Sequence, residues 1–386
     1  MRDAVICAAV RTPVGRRGSG LSGVHAADLS AQVLAALVER TGLDPAVVDD
    51  VFWGCVSQVG EQTSNIGRVA ALAAGWPESV PGTTIDRQCG SSQQAVAFAA
   101  ATVVSGQADV VVAGGVESMS RVPMGSSTGD GTAGRPLGPA FLARYGGVAP
   151  NQGVGAEMIA ARWGLSRAQL DEYALRSHEL AGKARADGAF DEQIVPVSTP
   201  DGTVVTADEG IRGGGTLAAL GALKTPFQPD GVISAGNASQ ISDGSAALLV
   251  TTSDKARALG LTPIVRVHTT VVAGDDPVIM LTAPIPATRK VLERSGVPLA
   301  DIGVFEVNEA FAPVPLAWQR EIGADPAVVN PLGGAIALGH PLGASGARIM
   351  TTLVHHMQAT GTRYGLQTMC EGGGMANATV LELLGG

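Results

Sequence analysis

Cys89, His340, Cys370 and Asn308 carry the side chains from which chemistry is most readily built in this chain of 386 residues. Cys89 stands in RQCGSSQQA, between a strand-like TTID and an apolar run with helical spacing. Its small polar neighbours let the thiol lie beside free backbone N–H groups at a helix start, where partial positive charge favours the nucleophilic thiolate. His340 stands in LGHPLGASG, where Gly and Pro shape a backbone that presents an imidazole at a helix entrance. With an ordinary pKa of about 6.5, such a histidine can take the proton of a thiol at neutral pH. Cys370 lies in MCEGGGM, whose glycines permit close approach of backbone to a ligand. A second thiol, ordinarily titrating at about 8.5, needs little adjustment to act as proton donor and acceptor. Asn308, in EVNEAFA, offers an uncharged amide to orient water or an oxyanion.

Other candidates carry less. Cys7 and Cys55 sit in apolar strands and read as inert core thiols, and no CxxC occurs among the four cysteines. His355 and His356 are adjacent and point to different helix faces, which argues against a metal pair; His25, His178 and His268 lack ligand spacing. Neither HExxH nor GxxxxGK[ST] is present, and GGAIALG is not GxGxxG, so a metal or dinucleotide role has no positive support.

The elements that must hold these residues follow a rhythm. Residues 3–10 read as a buried strand and 29–40 as a helix capped by Asp28 and stopped at Gly42. Strands at 49–56, 83–89 and 108–115 alternate with helices at 65–75 and 91–106, which predicts a mostly parallel sheet covered on both faces. After Ser118 the rhythm gives way to a stretch rich in Gly, Pro and Ser, with a helix over 166–188, an inserted segment carrying ligand surface. Alternation resumes at residue 242. The second half repeats the first in outline, since a polar turn with a reactive side chain, Cys89 or His340, precedes a long apolar helix in each. An internal duplication follows, with a site where the halves meet.

Composition narrows the class. Lys plus Arg number 26 against 35 Asp plus Glu, a net charge of −9, which disfavours nucleic acid and anionic lipid as partners. Apolar residues make up 45% and charged residues 16%, the balance of a well-buried globular chain of two or three compact units. No apolar run approaches the roughly 18 residues of a bilayer span, and the first residues lack a signal peptide's pattern, so a cytoplasmic protein is expected.

The order and context of these motifs resemble the thiolase family, which includes acetyl-CoA acetyltransferases and 3-ketoacyl-CoA thiolases. The resemblance runs along the whole chain, through AVICAAVRTPVGR, CGSSQQA, GGVESMS, AGNASQISDG, NEAFA, GGAIALGHPLGASGAR and CEGGG. It implies an α/β fold with duplicated halves in a five-layered αβαβα arrangement, with halves at 1–117 (completed by 242–262) and 263–386 and a loop domain at 118–241. It implies that Cys89 takes the acyl group, His340 activates it, and Cys370 moves protons to and from the second substrate. Asn308, through a water and with His340, would polarise one thioester carbonyl, and the N–H groups of Cys89 and Gly372 would form a second oxyanion site. Arg212, Phe227 and Ser239 match positions that contact CoA, and Ala310 and Phe311 of NEAFA are further candidate contacts. Asn151, in NQG, replaces the His of biosynthetic acetoacetyl-CoA thiolases, which puts strict two-acetyl specificity in doubt. The resemblance further implies acyl-CoA and CoA as the only ligands, no separate cofactor, and a homodimer or homotetramer. The alternatives are a ketoacyl-synthase-like condensing enzyme, which would use a second His where this chain has Asn308, and an inactive acyl-CoA or lipid-binding relative.

Overall fold

The computed structural model describes residues 2–129, 131–132 and 134–385; Asp130 and Ala133, in the Gly-rich stretch, lie outside the described residues with Met1 and Gly386. The first half runs β1 (Val5–Arg11), β2 (Gly15–Arg16), α1 (Ala26–Thr41), β3 (Asp50–Gly54), α2 (Ile66–Ala73), β4 (Thr83–Ile85), α3 (Ser91–Ser105) and β5 (Val110–Ser118). A long excursion follows, with α4 (Pro139–Arg144), α5 (Gln152–Arg162), α6 (Arg167–Ala186), β6 (Val197–Ser198), β7 (Val204–Val205) and α7 (Leu217–Gly221). The chain returns through β8 (Ser242–Thr251) and α8 (Ser253–Ala258). It then builds β9 (Val265–Gly274), α9 (Pro284–Ser295), β10 (Ile302–Val307), α10 (Pro313–Ile322), α11 (Ala335–Leu338), α12 (Ser345–Thr360), β11 (Tyr364–Glu371) and β12 (Met375–Leu383).

Strand order exposes the duplication. In the first half it is β4-β3-β5-β8-β1, and in the second β10-β11-β12-β9, with a parallel bridge from Phe305 to Val329 where the counterpart of β4 would stand. The two sets pair edge to edge at Val5↔Arg266 and Ile6↔Val265, with Ile264 N–H on Ile6 O and Val267 N–H on Ala4 O. Between them lie α3 and α12. Ala95, Val96, Ala99 and Val103 of α3 pack with Ala347, Met350, Leu353 and Val354 of α12 against Val111 and Leu248 on one side and Val304 and Leu381 on the other. Buried from both sides, these helices hide most of their surface rather than one stripe, and α12 buries Ser345, Arg348, Thr351 and Thr352 along with its apolar residues. Helices α1 and α2 cover the outer face of the first sheet, and α9 and α10 that of the second. The result is five layers, αβαβα.

Two expectations are corrected. Most strand pairings are antiparallel, and only β3–β4, β3–β5 and β10–β11 run parallel. Helical crossovers dictate parallel neighbours, but β8 returns after the long excursion and β12 by a tight hairpin, so both enter reversed. Helix α1 is capped by His25, whose Nδ1 accepts from Ala27 N–H, and not by Asp28, which sits in the first turn where its charge complements the helix dipole.

Close backbone approach brings the His340 loop onto the first half. A Cβ on Gly54 would lie 2.5 Å from Ser92 N and 2.6 Å from Gly343 O; one on Gly343 would lie 2.6 Å from both Cys55 Cα and Val116 O. Only glycine fits at either place. No helix among the described residues is long and apolar enough to cross a membrane.

Candidate active site

Cys89 is presented by a strained turn rather than by a strand end. Strand β4 stops at Ile85, four residues earlier than the 83–89 expected, because Asp86 accepts the Gln88 N–H at 2.7 Å and Gln88 takes a left-handed φ of 49°. Gly90 N–H then bonds Arg87 O, Ser91 N–H bonds Gln88 O, and α3 begins. The backbone N–H groups of Cys89 and of Gly372 both act to lower the Cys89 thiol, so the glycine turn after β11 meets the start of α3 near this sulfur. Those donors favour thiolate, as expected, but they lose. Burial, reinforced by the charge of Glu371, pushes the thiol up to about 12. The resting nucleophile is therefore protonated, and needs a base.

Cys370 ends up beside it. It lies in β11 opposite Ala376 and packs in one cluster with Ile279, Met280, Leu281, Ala310 and Phe311. It is fully buried, and burial together with the nearby Cys89 raises its pKa well above the ordinary thiol value, contrary to the modest adjustment expected. The two sulfurs, far apart in sequence, are thus close enough for charge on Cys89 to act on Cys370.

His340 is fixed on both sides. Its backbone N–H donates to Gln240 O and Ser242 Oγ, each at 3.2 Å. Its Nδ1 lies 2.6 Å from Ser345 Oγ, while that hydroxyl lies 2.8 Å from Pro341 O. A hydroxyl has one proton; giving it to the carbonyl leaves an oxygen that accepts, so Nδ1 carries hydrogen and Nε2 a lone pair. Nε2 is buried and has no partner. Burial, with the charge of Arg348, lowers the imidazole to about 3, far below its ordinary range, so it is neutral at pH 7. Ser345 was not legible as a functional residue, though its place five residues after His340 at a helix start was the available signal.

Asn308 follows β10, and its Nδ2 and Oδ1 are both buried without a partner. An unpaired buried amide is costly unless a ligand or water completes it. Its neighbour Glu309 anchors the turn, accepting from Tyr173 Oη (2.9 Å), Ser177 Oγ (2.6 Å) and Ile336 N–H (3.1 Å), which ties α6 to the second half.

The excursion supplies a cleft beside these groups, lined by His178, Arg212, Leu220, Gly236, Gln240 and Ile336. It reaches Gln240, the residue whose carbonyl holds His340. Arg212 is on its wall, with its N–H on His178 Nδ1. Ser239 N–H bonds Ala310 O at 2.9 Å, and the Phe227 ring lies over Gly153 and edge-on to Phe311, 6.1 Å between centroids. Asn151 caps α5, its Oδ1 accepting from Gly153 and Val154 N–H, so that oxygen is spent on its own helix. Cys7, pushed up to about 12 by burial, and Cys55, raised still further, have no part in this cluster.

Comparison with known proteins accords with this arrangement. Residues 4–254 match the family model for the thiolase N-terminal domain and residues 261–383 that for the thiolase C-terminal domain. The chain is 49% identical over 392 residues to the steroid 3-ketoacyl-CoA thiolase FadA6 of Mycobacterium tuberculosis, covering 100% of this chain and 95% of that protein. It is 45% identical to a beta-ketoadipyl-CoA thiolase of Escherichia coli, covering 99% and 100%. The crystal structure of the Bacillus anthracis acetyl-CoA acetyltransferase superimposes with a TM-score of 0.91 at 40% identity, covering 100% of this chain and 99% of that one. With matching models across both halves and relatives of this identity along its full length, the chain belongs to the thiolase family.

Proposed function

We propose that the protein is a 3-ketoacyl-CoA thiolase, an acyltransferase that cleaves a 3-ketoacyl-CoA with free CoA to give acetyl-CoA and a shortened acyl-CoA, or runs the reverse condensation. The observation that carries this is the meeting of Cys89, the Gly372 N–H and the Cys370 thiol at one place in the fold, where charge on Cys89 raises the Cys370 thiol. His340 Nε2 takes the Cys89 proton, and the thiolate attacks the 3-keto carbon. The oxyanion is held by the N–H groups of Cys89 and Gly372, a device commonly supplying ~3 kcal/mol per donor. The C2–C3 bond breaks, its electron pair passes into the enolate of acetyl-CoA, and Cys370 delivers a proton to C2. Asn308, with His340 and a water, polarises that thioester carbonyl. In the second half, the thiol of free CoA gives its proton to the Cys370 thiolate and attacks the acyl carbon; the departing Cys89 sulfur recovers its proton from His340. The two thiols, the imidazole and the amide account for every proton, so no metal or redox cofactor is required, and CoA is a substrate.

Arg212, Phe227 and Ser239 line the approach of CoA, and Ala310 and Phe311 border the acyl end. Relatives that act on steroid 3-ketoacyl-CoA and beta-ketoadipyl-CoA support acyl groups larger than those of acetoacetyl-CoA, a role in degradation of lipids or similar acyl chains. A cytoplasmic homodimer or homotetramer fits as well. The first sheet ends on the unpaired edge of β4, and neighbouring α2 and α3 leave Leu72 41% and Phe98 45% exposed, a surface suited to a second copy. Incubation with acetoacetyl-CoA and with longer 3-ketoacyl-CoA esters, with and without free CoA, tests the activity. Thioester loss only with CoA supports it; binding without turnover, or turnover only with a malonyl donor, contradicts it.

A further inference from the structure

Behind the cluster lies a charge that the reaction just described does not use. Arg348 is 2% exposed, yet Nε, Nη1 and Nη2 all lack a hydrogen-bond partner among the described residues. A buried guanidinium with no bonded acceptor is among the costliest arrangements a core can hold. The nearby carboxylates do not relieve it. Asp208 is committed to Arg11, by two bonds of 2.7 and 2.9 Å, and Glu309 to Tyr173, Ser177 and Ile336. Glu306 remains. Its charge and that of Arg348 act on one another, its Oε1 is buried and unbonded, and no ion pair joins the two residues. Each of these two buried groups has unbonded atoms that can supply the bonds a trapped water needs.

Periodicity places both groups next to residues of the site. Arg348 is three residues after Ser345 on α12, hence on the same helix face one turn on, and Ser345 holds His340 Nδ1. Glu306 is two residues before Asn308. Val304 of β10 faces the α3–α12 layer while Phe305 and Val307 face the outer helices, so Glu306 points toward α12 with Val304. Arg348 and Glu306, each with unpartnered atoms, thus stand one periodic step from Ser345 and Asn308.

We propose that Arg348 is a positioning residue of the active site: water trapped between it and Glu306 maintains a buried, unneutralised guanidinium behind His340. This rests on the reading of His340 as the base for Cys89. The consequence is that the imidazole stays unprotonated and ready to accept, which the lowering of His340 by burial and by Arg348 supports. Other titratable or charged groups around α12 are Arg11 of β1, Glu117 of β5, Asp243 of β8, Glu306 of β10, Glu309 after it, Asp208 of the excursion, Cys370 and Glu371 of β11, and Cys89 ahead of α3. None of the cations among them replaces Arg348, because Arg11 is matched by Asp208.

Single-turnover acylation of Cys89 by acetyl-CoA, followed against pH, tests the assignment in the full-length enzyme. Arg348→Met removes the charge, and the acid limb should move up by at least about one pH unit, a tenfold loss or more on that limb. Arg348→Lys keeps a cation and should hold the limb near that of the unmodified protein; Glu306→Gln keeps the guanidinium and should not raise it. A folded R348M enzyme with an unmoved limb, or K and Q variants that raise it equally, overturns the proposal. Should R348M fail to fold, a high-resolution crystal structure decides, with ordered water between Arg348 and Glu306 expected and a direct two-point ion pair contradicting it. A limb that persists in His340→Asn indicts the assignment of the base instead.

Discussion

Ser345 accepts the Nδ1 proton of His340 across 2.6 Å while giving its own proton to the carbonyl of Pro341. A single hydroxyl thereby selects the imidazole tautomer whose free lone pair is on Nε2, the atom left without a partner in the site. The helix that carries Ser345 is held against α3, so the tautomer of the base is tied to the packing of the central layer.

Ser345→Ala should leave the imidazole in place but free to choose its tautomer. Losing one partner of a buried hydrogen bond costs about 1–3 kcal/mol, so kcat should fall roughly 5- to 160-fold with KM little changed. Steady-state thiolysis kinetics check this, and an unaltered kcat would mean that the loop backbone alone orients the ring.

Glu371 governs Cys89 from beneath the start of α3, where a side chain on Gly90 would strike its carboxylate. Burial raises its carboxyl to about 8, and its charge in turn raises the Cys89 thiol. Below pH 8 the carboxyl is protonated, so Glu371→Gln should alkylate with iodoacetamide at the unmodified protein's rate. Above pH 8 the native carboxylate ionises and holds the thiolate back, and the Gln variant should react faster, with the gap widening to pH 9.5. Equal rates throughout would place Glu371 too far from the sulfur to act.

Gly343→Ala should damage the fold more than the chemistry. Its new methyl would press on Cys55 Cα and Val116 O, both backbone atoms that cannot rotate away. Overpacking of this kind costs typically about 1–3 kcal/mol, visible as a lower Tm, together with a displaced His340 loop. A Tm equal to that of the unmodified protein would show that the loop is not clamped there.

What sequence disclosed and what it concealed divide along physical lines. Cys89, His340 and Cys370 were legible because small residues and glycine turns surround them and because Cys89 and His340 precede matching helices of two similar halves, and Asn308 because it offers an uncharged amide at a strand end. Their protonation states were not. A helix start is a local feature and suggested donors near the Cys89 sulfur, but burial comes from distant segments and outweighs the lowering by the Cys89 and Gly372 N–H groups, moving Cys89 and His340 in opposite directions. Strand direction escaped for the same reason at β8, which pairs with β1 and β5, both far from it in sequence. Ser345, Arg348 and Glu306 act through helix and strand periodicity, which gains meaning only when the neighbours of those elements are known.

The division of labour between the two thiols is the core of the account, and intact-protein mass spectrometry tests it most directly. After mixing with acetyl-CoA, Cys370→Ser should gain one acetyl group, mapped by peptide analysis to Cys89, yet fail to make or break the carbon–carbon bond of acetoacetyl-CoA. Cys89→Ser should gain no acetyl group at all. An acetyl group carried on Cys370 in the Cys89→Ser protein, or equal and complete loss of labelling in both variants, would contradict it.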